Sequence, residues 1–264
     1  MSATAALSAH ELWVGYPGRA VIEGLDVEIA PELLTVIVGP NACGKSTLLR
    51  TMARMLTPTF GEVRLHGTPV ADQSSREVAR QMAVLPQSPS APDGMLVRDL
   101  VARGRYPHQR LLKPWSRDDE AAVEAAMRAT DVVALADADV NELSGGQRQR
   151  VWLAMALAQE TDVLLLDEPT SFLDIAHQIE VLDLGRRLQQ QGRTVVMVLH
   201  ELHLAFRYAD HLVVMKSGRI MAQGAPAQVV TAELVEEVYD LPCRIIADPE
   251  TGTPMVIPLA GRGR

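Results

Sequence analysis

The sequence predicts an α/β fold, and three observations predict it. Two continuous apolar runs, residues 163–166 and 194–199, read as parallel strands buried on both faces. Helical patterns separate them, notably residues 175–191, and strands alternating with helices imply an α/β core. A third apolar run, residues 33–38, leads through a glycine-bearing string into a helical pattern that begins at Leu48-Leu49-Arg50. Strand, loop and helix in that order are the setting of a phosphate-binding loop.

The remaining elements follow in chain order. Residues 1–8 are small and polar, without the basic start and apolar centre of a signal peptide. Residues 11–16 and 20–29 alternate apolar and polar around a Pro17-Gly18 turn, and residues 61–66 give another short strand. These predict an antiparallel sheet beside the core. Residues 88–160 hold no comparable strand runs. Residues 118–129 and 147–158 have helical spacing, so this stretch reads as an inserted helical subdomain, about 88–160. Residues 243–247 and 254–259 flank Asp248-Pro-Glu-Thr-Gly-Thr253 as a C-terminal hairpin, about 241–260. The whole, residues 1–264, reads as one domain with no internal repeats.

Composition narrows the classes. The chain has 264 residues, 47% hydrophobic and 22% charged, with ample core material for a globular protein. Its net charge of −8 and the lack of a long basic run argue against nucleic acid as a partner. No stretch approaches the roughly 20 apolar residues needed to span a bilayer, so a membrane role must come through another chain. The two cysteines are Cys43 and Cys243. Cys43 lies in the phosphate loop, which fits a reduced setting and a packing role rather than a disulfide; a redox sensor is the alternative.

The loop itself is Gly39-Pro40-Asn41-Ala42-Cys43-Gly44-Lys45-Ser46-Thr47, a match to G-x-x-x-x-G-K-[ST]. Glycines let the backbone wrap close to a phosphate chain, and amides at the helix start point at it. Lys45 can then reach the β- and γ-phosphates, and the Ser46 hydroxyl can ligate Mg²⁺. Downstream, Val163-Leu-Leu-Leu-Asp167-Glu168 is a strand ending in two carboxylates. Asp167 suits the Mg²⁺ shell and Glu168 suits orienting or activating the attacking water, against the default of a solvated pair. Before that strand, Leu143-Ser144-Gly145-Gly146-Gln147 opens a helix. Ser144 can be a plain N-cap there, and the same freed amides make an anion site, so both readings stand. His200-Glu201-Leu202-His203 lacks the spacing of a zinc motif, and His203 reads as an ordinary helix residue.

Phosphate loop, LSGGQ and VLLLDEP, in this order, resemble the nucleotide-binding domain of ATP-binding cassette (ABC) transporters over about residues 9–240. The resemblance implies a P-loop NTPase core with an antiparallel β subdomain and an inserted helical subdomain, hydrolysing ATP with Mg²⁺. It implies a head-to-tail homodimer in which Ser144, Gly145, Gly146 and Gln147 of one copy cover the γ-phosphate held by the other. Gln87, in Leu85-Pro86-Gln87, matches the glutamine loop that contacts Mg²⁺ or the water and faces the membrane partner; its bland reading is a polar loop residue. His200 matches the switch histidine that contacts the γ-phosphate. Asp174, in Ser171-Phe-Leu-Asp174, matches the loop crossing the dimer interface. Tyr16 matches the aromatic that stacks on adenine, with simple packing as its alternative.

Further stretches resemble the ATPases of bacterial iron-siderophore importers, with haem and cobalamin importers as near relatives. They are Gly104-Arg-Tyr-Pro-His108, Trp115-Ser-Arg-Asp-Asp-Glu120, residues 150–159, residues 170–178 and Tyr208-Ala-Asp-His211. This resemblance implies an integral membrane permease as partner, an extracytoplasmic substrate-binding protein acting indirectly, and a peripheral place on the cytoplasmic face of the membrane. A soluble ABC ATPase that drives no transport, and an exporter subunit, are the rival readings. Ala42 stands where this group usually has glycine; if the position needs positive φ, alanine strains it by roughly 1 kcal/mol.

Overall fold

A computed structural model of the protein describes residues 4–87, 89–109 and 115–259. Residues 1–3, residues 88 and 110–114 of the predicted helical stretch, and residues 260–264, of which 260 belongs to the predicted hairpin, lie outside that description. The chain divides into two compact units, Met1–Ala71 with Val196–Arg264, and Asp72–Val195.

The first unit begins with β1 (Leu7–Tyr16) and β2 (Arg19–Ile29), paired antiparallel from Leu7↔Ile29 to Tyr16↔Arg19. Pro17 and Gly18 close that hairpin, and Gly18 supplies the positive φ of 77° that its turn needs. Strand β3 (Leu34–Val38) is buried along its length and ends at the phosphate loop, which feeds α1 (Lys45–Met52). Strands β4 (Phe60–Leu65) and β5 (Thr68–Pro69) complete a four-stranded antiparallel sheet in the order β2-β1-β4-β5. The alternation in residues 11–29 and 61–66 therefore gave the strands it predicted.

The second unit opens with α2 (Ser75–Gln81), whose Ser74 and Glu77 form a capping box, and runs on into β6 (Met82–Leu85). Then come α3 (Val97–Ala102), α4 (Arg117–Ala129) and α5 (Gly145–Ala158). Ser116 caps α4 and Ser144 caps α5, each with a reciprocal bond from the residue three positions on. Strand β7 (Val163–Asp167), fully buried, pairs in parallel with β6 from Met82↔Val163 to Leu85↔Leu166, and α6 (Ile175–Gln190) follows it.

The Gly104–His108 stretch braces this unit internally. Arg105 is 5% exposed, and its guanidinium donates to Asp119 Oδ1 at 3.0 Å, Ala158 O at 2.8 Å and Glu160 Oε2 at 2.7 Å. A Cβ on Gly104 would sit 2.2 Å from Met155 O, so only glycine lets the segment lie against α5. Pro107 O accepts from Arg76 Nε and Arg80 Nε of α2. One segment thus ties three helices together.

Strand β8 (Thr194–Val198) carries the chain back to the first unit. There α7 (Leu202–Tyr208), β9 (His211–Lys216) and β10 (Arg219–Gly224) follow. Strand β9 pairs in parallel with β3 and antiparallel with β10. Short α8 (Pro226–Val229) and α9 (Ala232–Tyr239) lead to the antiparallel pair β11 (Cys243–Ala247) and β12 (Pro254–Pro258). Asp248 organises the intervening turn, its Oδ1 accepting from Glu250 N at 2.8 Å.

Candidate functional site

In the first unit the backbone of the phosphate loop is shaped by its glycines and its lysine. Gly39 has φ 156° and Gly44 φ 109°, both outside what L side chains adopt with ease. Lys45, 5% exposed, turns its ammonium back onto the loop and donates to Gly39 O at 2.8 Å and Pro40 O at 3.0 Å. Gly44 is the N-cap of α1 and offers no side-chain cap, and the first helical bond runs from Leu48 N to Gly44 O. The first-turn amides of Lys45, Ser46 and Thr47 thus belong to the set an α-helix cannot satisfy by itself. A cation held at a loop of carbonyls, facing a helix start, fits a polyphosphate.

Ala42 has φ 60°, the left-handed value that glycine would take without strain, and its side chain is exposed. The condition on which strain depended is therefore met. Cys43 is 4% exposed, and burial pushes its thiol up from the ordinary value against the lowering by Lys45. That makes it a packing residue and a poor nucleophile. Tyr16, at the end of β1, is 46% exposed, so it is not there to fill a core. His200 stands exposed in the bend after β8.

The glycines answer to more than a ligand. A Cβ on Gly39 would lie 2.2 Å from Met215 O, and one on Gly44 would lie 3.6 Å from Gly218 Cα. Gly218 N donates to Cys43 O at 2.8 Å. The β9–β10 turn therefore lies directly behind the loop. Sequence reasoning missed this, although Ser217-Gly218 between two apolar runs was a hairpin signal.

In the second unit β7 ends by placing Asp167 with no exposure and Glu168 at 9%. Glu168 has φ 54°, a strained conformation of the sort found at functional sites. Gln87 Nε2 donates to Glu168 Oε2 at 2.7 Å, and Ser171 Oγ donates to the same oxygen at 3.3 Å. Gln87 and Glu168, predicted separately, are thus brought together, with Ser171 as a partner that spacing did not reveal. The carboxylate of Asp167 and the hydroxyl of Ser46 are hard oxygen donors, the type that suits Mg²⁺.

Ser144, Gly145, Gly146, Gln147 and Asp174 share one cleft, together with Arg150, Phe172 and His177. Ser144 Oγ accepts from Gln147 N at 3.3 Å while Gln147 Oε1 accepts from Ser144 N at 3.0 Å. The N-cap reading of Ser144 is therefore correct, and it leaves the Gly145 and Gly146 amides at a helix start. Asp174 caps α6, accepting from His177 N at 3.0 Å and lying 2.7 Å from His177 Nδ1, and these bonds hold its carboxyl below the usual range. Phe172 is 79% exposed beside the cleft. His203 lies exposed on α7.

Comparison with known proteins points one way. The family described as "ABC transporter" matches residues 22–171. The chain is 52% identical over 260 residues to the "probable siderophore transport system ATP-binding protein YusV" of Bacillus subtilis, covering 98% of this chain and 94% of that one. It is 52% identical over 256 residues to the ferric enterobactin transport ATP-binding protein FepC of Escherichia coli, covering 97% and 94%. Among solved structures, CbiO1 from Clostridium perfringens, part of the ABC transporter complex CbiONQ, matches with a TM-score of 0.71 and 30% identity, covering 86% and 90%.

Proposed function

The chain belongs to the ABC transporter family as an ATP-binding, ATP-hydrolysing cassette, and on that premise we propose that it powers a bacterial importer of ferric siderophores. Near-full-length identity to siderophore and ferric enterobactin transport ATP-binding proteins carries the substrate class. A preshaped phosphate cradle and an oriented glutamate support the chemistry.

In this reading Tyr16 stacks on adenine, and Lys45 with the amides of the 39–47 loop holds the phosphates. Ser46, Asp167 and Gln87 would hold Mg²⁺, which would supply neutralisation of the phosphate charge. Glu168, held by Gln87 and Ser171, orients the attacking water and draws on its proton. Water attacks in line, the new O–P bond forms as the bond to the leaving ADP oxygen breaks, and His200 stabilises charge on the γ-phosphate. Ser144, Gly145, Gly146 and Gln147 of a second copy close over that phosphate, and Asp174 lies at the joint. Closure couples ATP binding to motion.

The partners are a second copy of the chain and an integral membrane permease, with a substrate-binding protein delivering the chelate outside. No helix among the described residues is long and apolar enough to cross a membrane; in this reading the chain is a peripheral subunit that meets the permease on the cytoplasmic face. The chain then works as one ATP-binding domain, with residues 88–160 as its helical part and 241–260 as its hairpin.

Glu168→Gln tests the engine. It keeps the charge-independent shape of the side chain while removing the carboxylate, so ATP binding persists, turnover falls by at least about 100-fold, and an ATP-bound dimer accumulates on size exclusion. Turnover like the wild type would remove Glu168 from its role. Co-purification with a permease, and ATPase stimulation by a ferric siderophore in the reconstituted complex, test the transport reading.

A further inference from the structure

The turn behind the phosphate loop is itself held from a third place. Strands β9 and β10 pair Lys216 with Arg219, leaving Ser217 and Gly218 as a two-residue turn. Their φ values are 48° and 76°, both positive, as the tight hairpin turn that matches strand twist requires. A Cβ on Gly218 would lie 2.0 Å from Val21 O, so the turn is wedged between β2 and the loop with no slack. On its loop side it meets Gly39, Cys43 and Gly44 by the contacts given above. On the other side Lys216 reaches α9: its ammonium donates to Glu237 O and lies 3.5 Å from Asp240 Oδ1. Asp240 is the left-handed C-cap of α9, with φ 54°. A cation on the last carbonyls of a helix suits both their free acceptors and the helix dipole.

Three elements are thus in series: the last turn of α9, the Met215–Gly218 turn, and the nucleotide cradle. We infer that this series is a buttress that sets how tightly the phosphate loop holds nucleotide, with Lys216 as a positioning residue for ATP binding. The inference rests on the ATP-binding reading. Its physical content is that the loop pays less ordering entropy on binding when its rear face is already fixed. Tyr239, in the last turn of α9, accords with this. The Gly39 backbone hydrogen-bonds its phenol, so α9 also meets the loop directly, and burial, with Cys43 nearby, pushes that phenol well above the ordinary value. By this route the C-terminal segment that ends in β11 and β12 acts on the nucleotide without touching it.

The test compares wild type, Lys216→Met and Lys216→Arg as full chains. Lys216→Met keeps the apolar stem and removes the charge, so α9 loses its clamp without a cavity. Calorimetry with MgATP reads affinity, steady-state hydrolysis separates KM from kcat, and hydrogen exchange of the nucleotide-free protein reads the loop. The expected result is a roughly five-fold weaker ATP affinity and a matching rise in KM for Lys216→Met. Turnover at saturating ATP stays unchanged, and Lys216→Arg recovers most of the loss. Exchange rises at residues 39–46 as well as at 232–240. Faster exchange confined to 232–240, with ATP affinity intact, would mean that Lys216 only caps a helix, and would overturn the inference. Failure of the wild type to bind MgATP would instead overturn the ATP-binding reading.

Discussion

Ala42 offers the sharpest check on how the phosphate loop is built. Its φ of 60° places a Cβ where the following carbonyl crowds it, a cost of about 1–2 kcal/mol for an L residue. Ala42→Gly removes that cost. The side chain is exposed, so no packing is lost with it. Against the gain stands the greater freedom of glycine in the unfolded chain, worth about 0.4–1 kcal/mol. The difference favours Ala42→Gly by about 0.5–1 kcal/mol, which corresponds to a rise of roughly 1–3 °C in melting temperature for a domain of this size. Differential scanning fluorimetry without nucleotide measures it, with Ala42→Val as the counter-variant, since a β-branched residue at that φ is more strained. A lower melting temperature for Ala42→Gly, or one equal to that of Ala42→Val, would refute the argument from strain.

Acid sensitivity follows from Asp119, whose carboxyl is held down to about 2 by the Ser116 hydroxyl and Arg105 against the raising effect of burial. A depressed carboxylate contributes stability that is full above the ordinary carboxylate range and is lost as pH falls toward about 2. Ser116→Ala therefore shifts acid unfolding, followed by tryptophan fluorescence, to higher pH and leaves stability at pH 7 lower; an unchanged acid midpoint would contradict it. Cys43 and Cys243 are both buried, and burial raises both thiols. Alkylation by iodoacetamide at pH 7.5 is accordingly slow in the native protein and fast after denaturation. Rapid native labelling of Cys43 would restore the sensor alternative.

Much of the site was legible because its signals are local. Lys45, Asp167 and Glu168 announce themselves by residue type and by the strands that precede them. Ser144 does so by its place before Gly145 and Gly146 at a helix start. The hydrogen bond from Gln87 to Glu168 was not legible in that way, because 81 positions separate the two residues and only the parallel pairing of β6 with β7 aligns their ends. The Gly104–His108 stretch read only as a mark of lineage. Its reason is a buried guanidinium whose acceptors lie on α4 and at the end of α5, which no periodicity could connect.

The sequence by itself determined the fold class, the strands β1 to β4, β7, β8, β11 and β12, the helices α1, α4, α5 and α6, the cap at Ser144 and the chemical inventory of the nucleotide site. These depend on φ/ψ preferences and on contacts within a few residues, which neighbouring side chains encode directly. Only the tertiary structure decided why Gly39 must be glycine, since Met215 O would lie 2.2 Å from a Cβ there, whereas Gly44 is set by its own φ of 109°. It also decided that Ala42 is strained and that Lys216 clamps α9 behind the loop. Those outcomes depend on which distant backbones meet at van der Waals distance, and that is fixed when the strands pair and the core closes rather than by any local pattern.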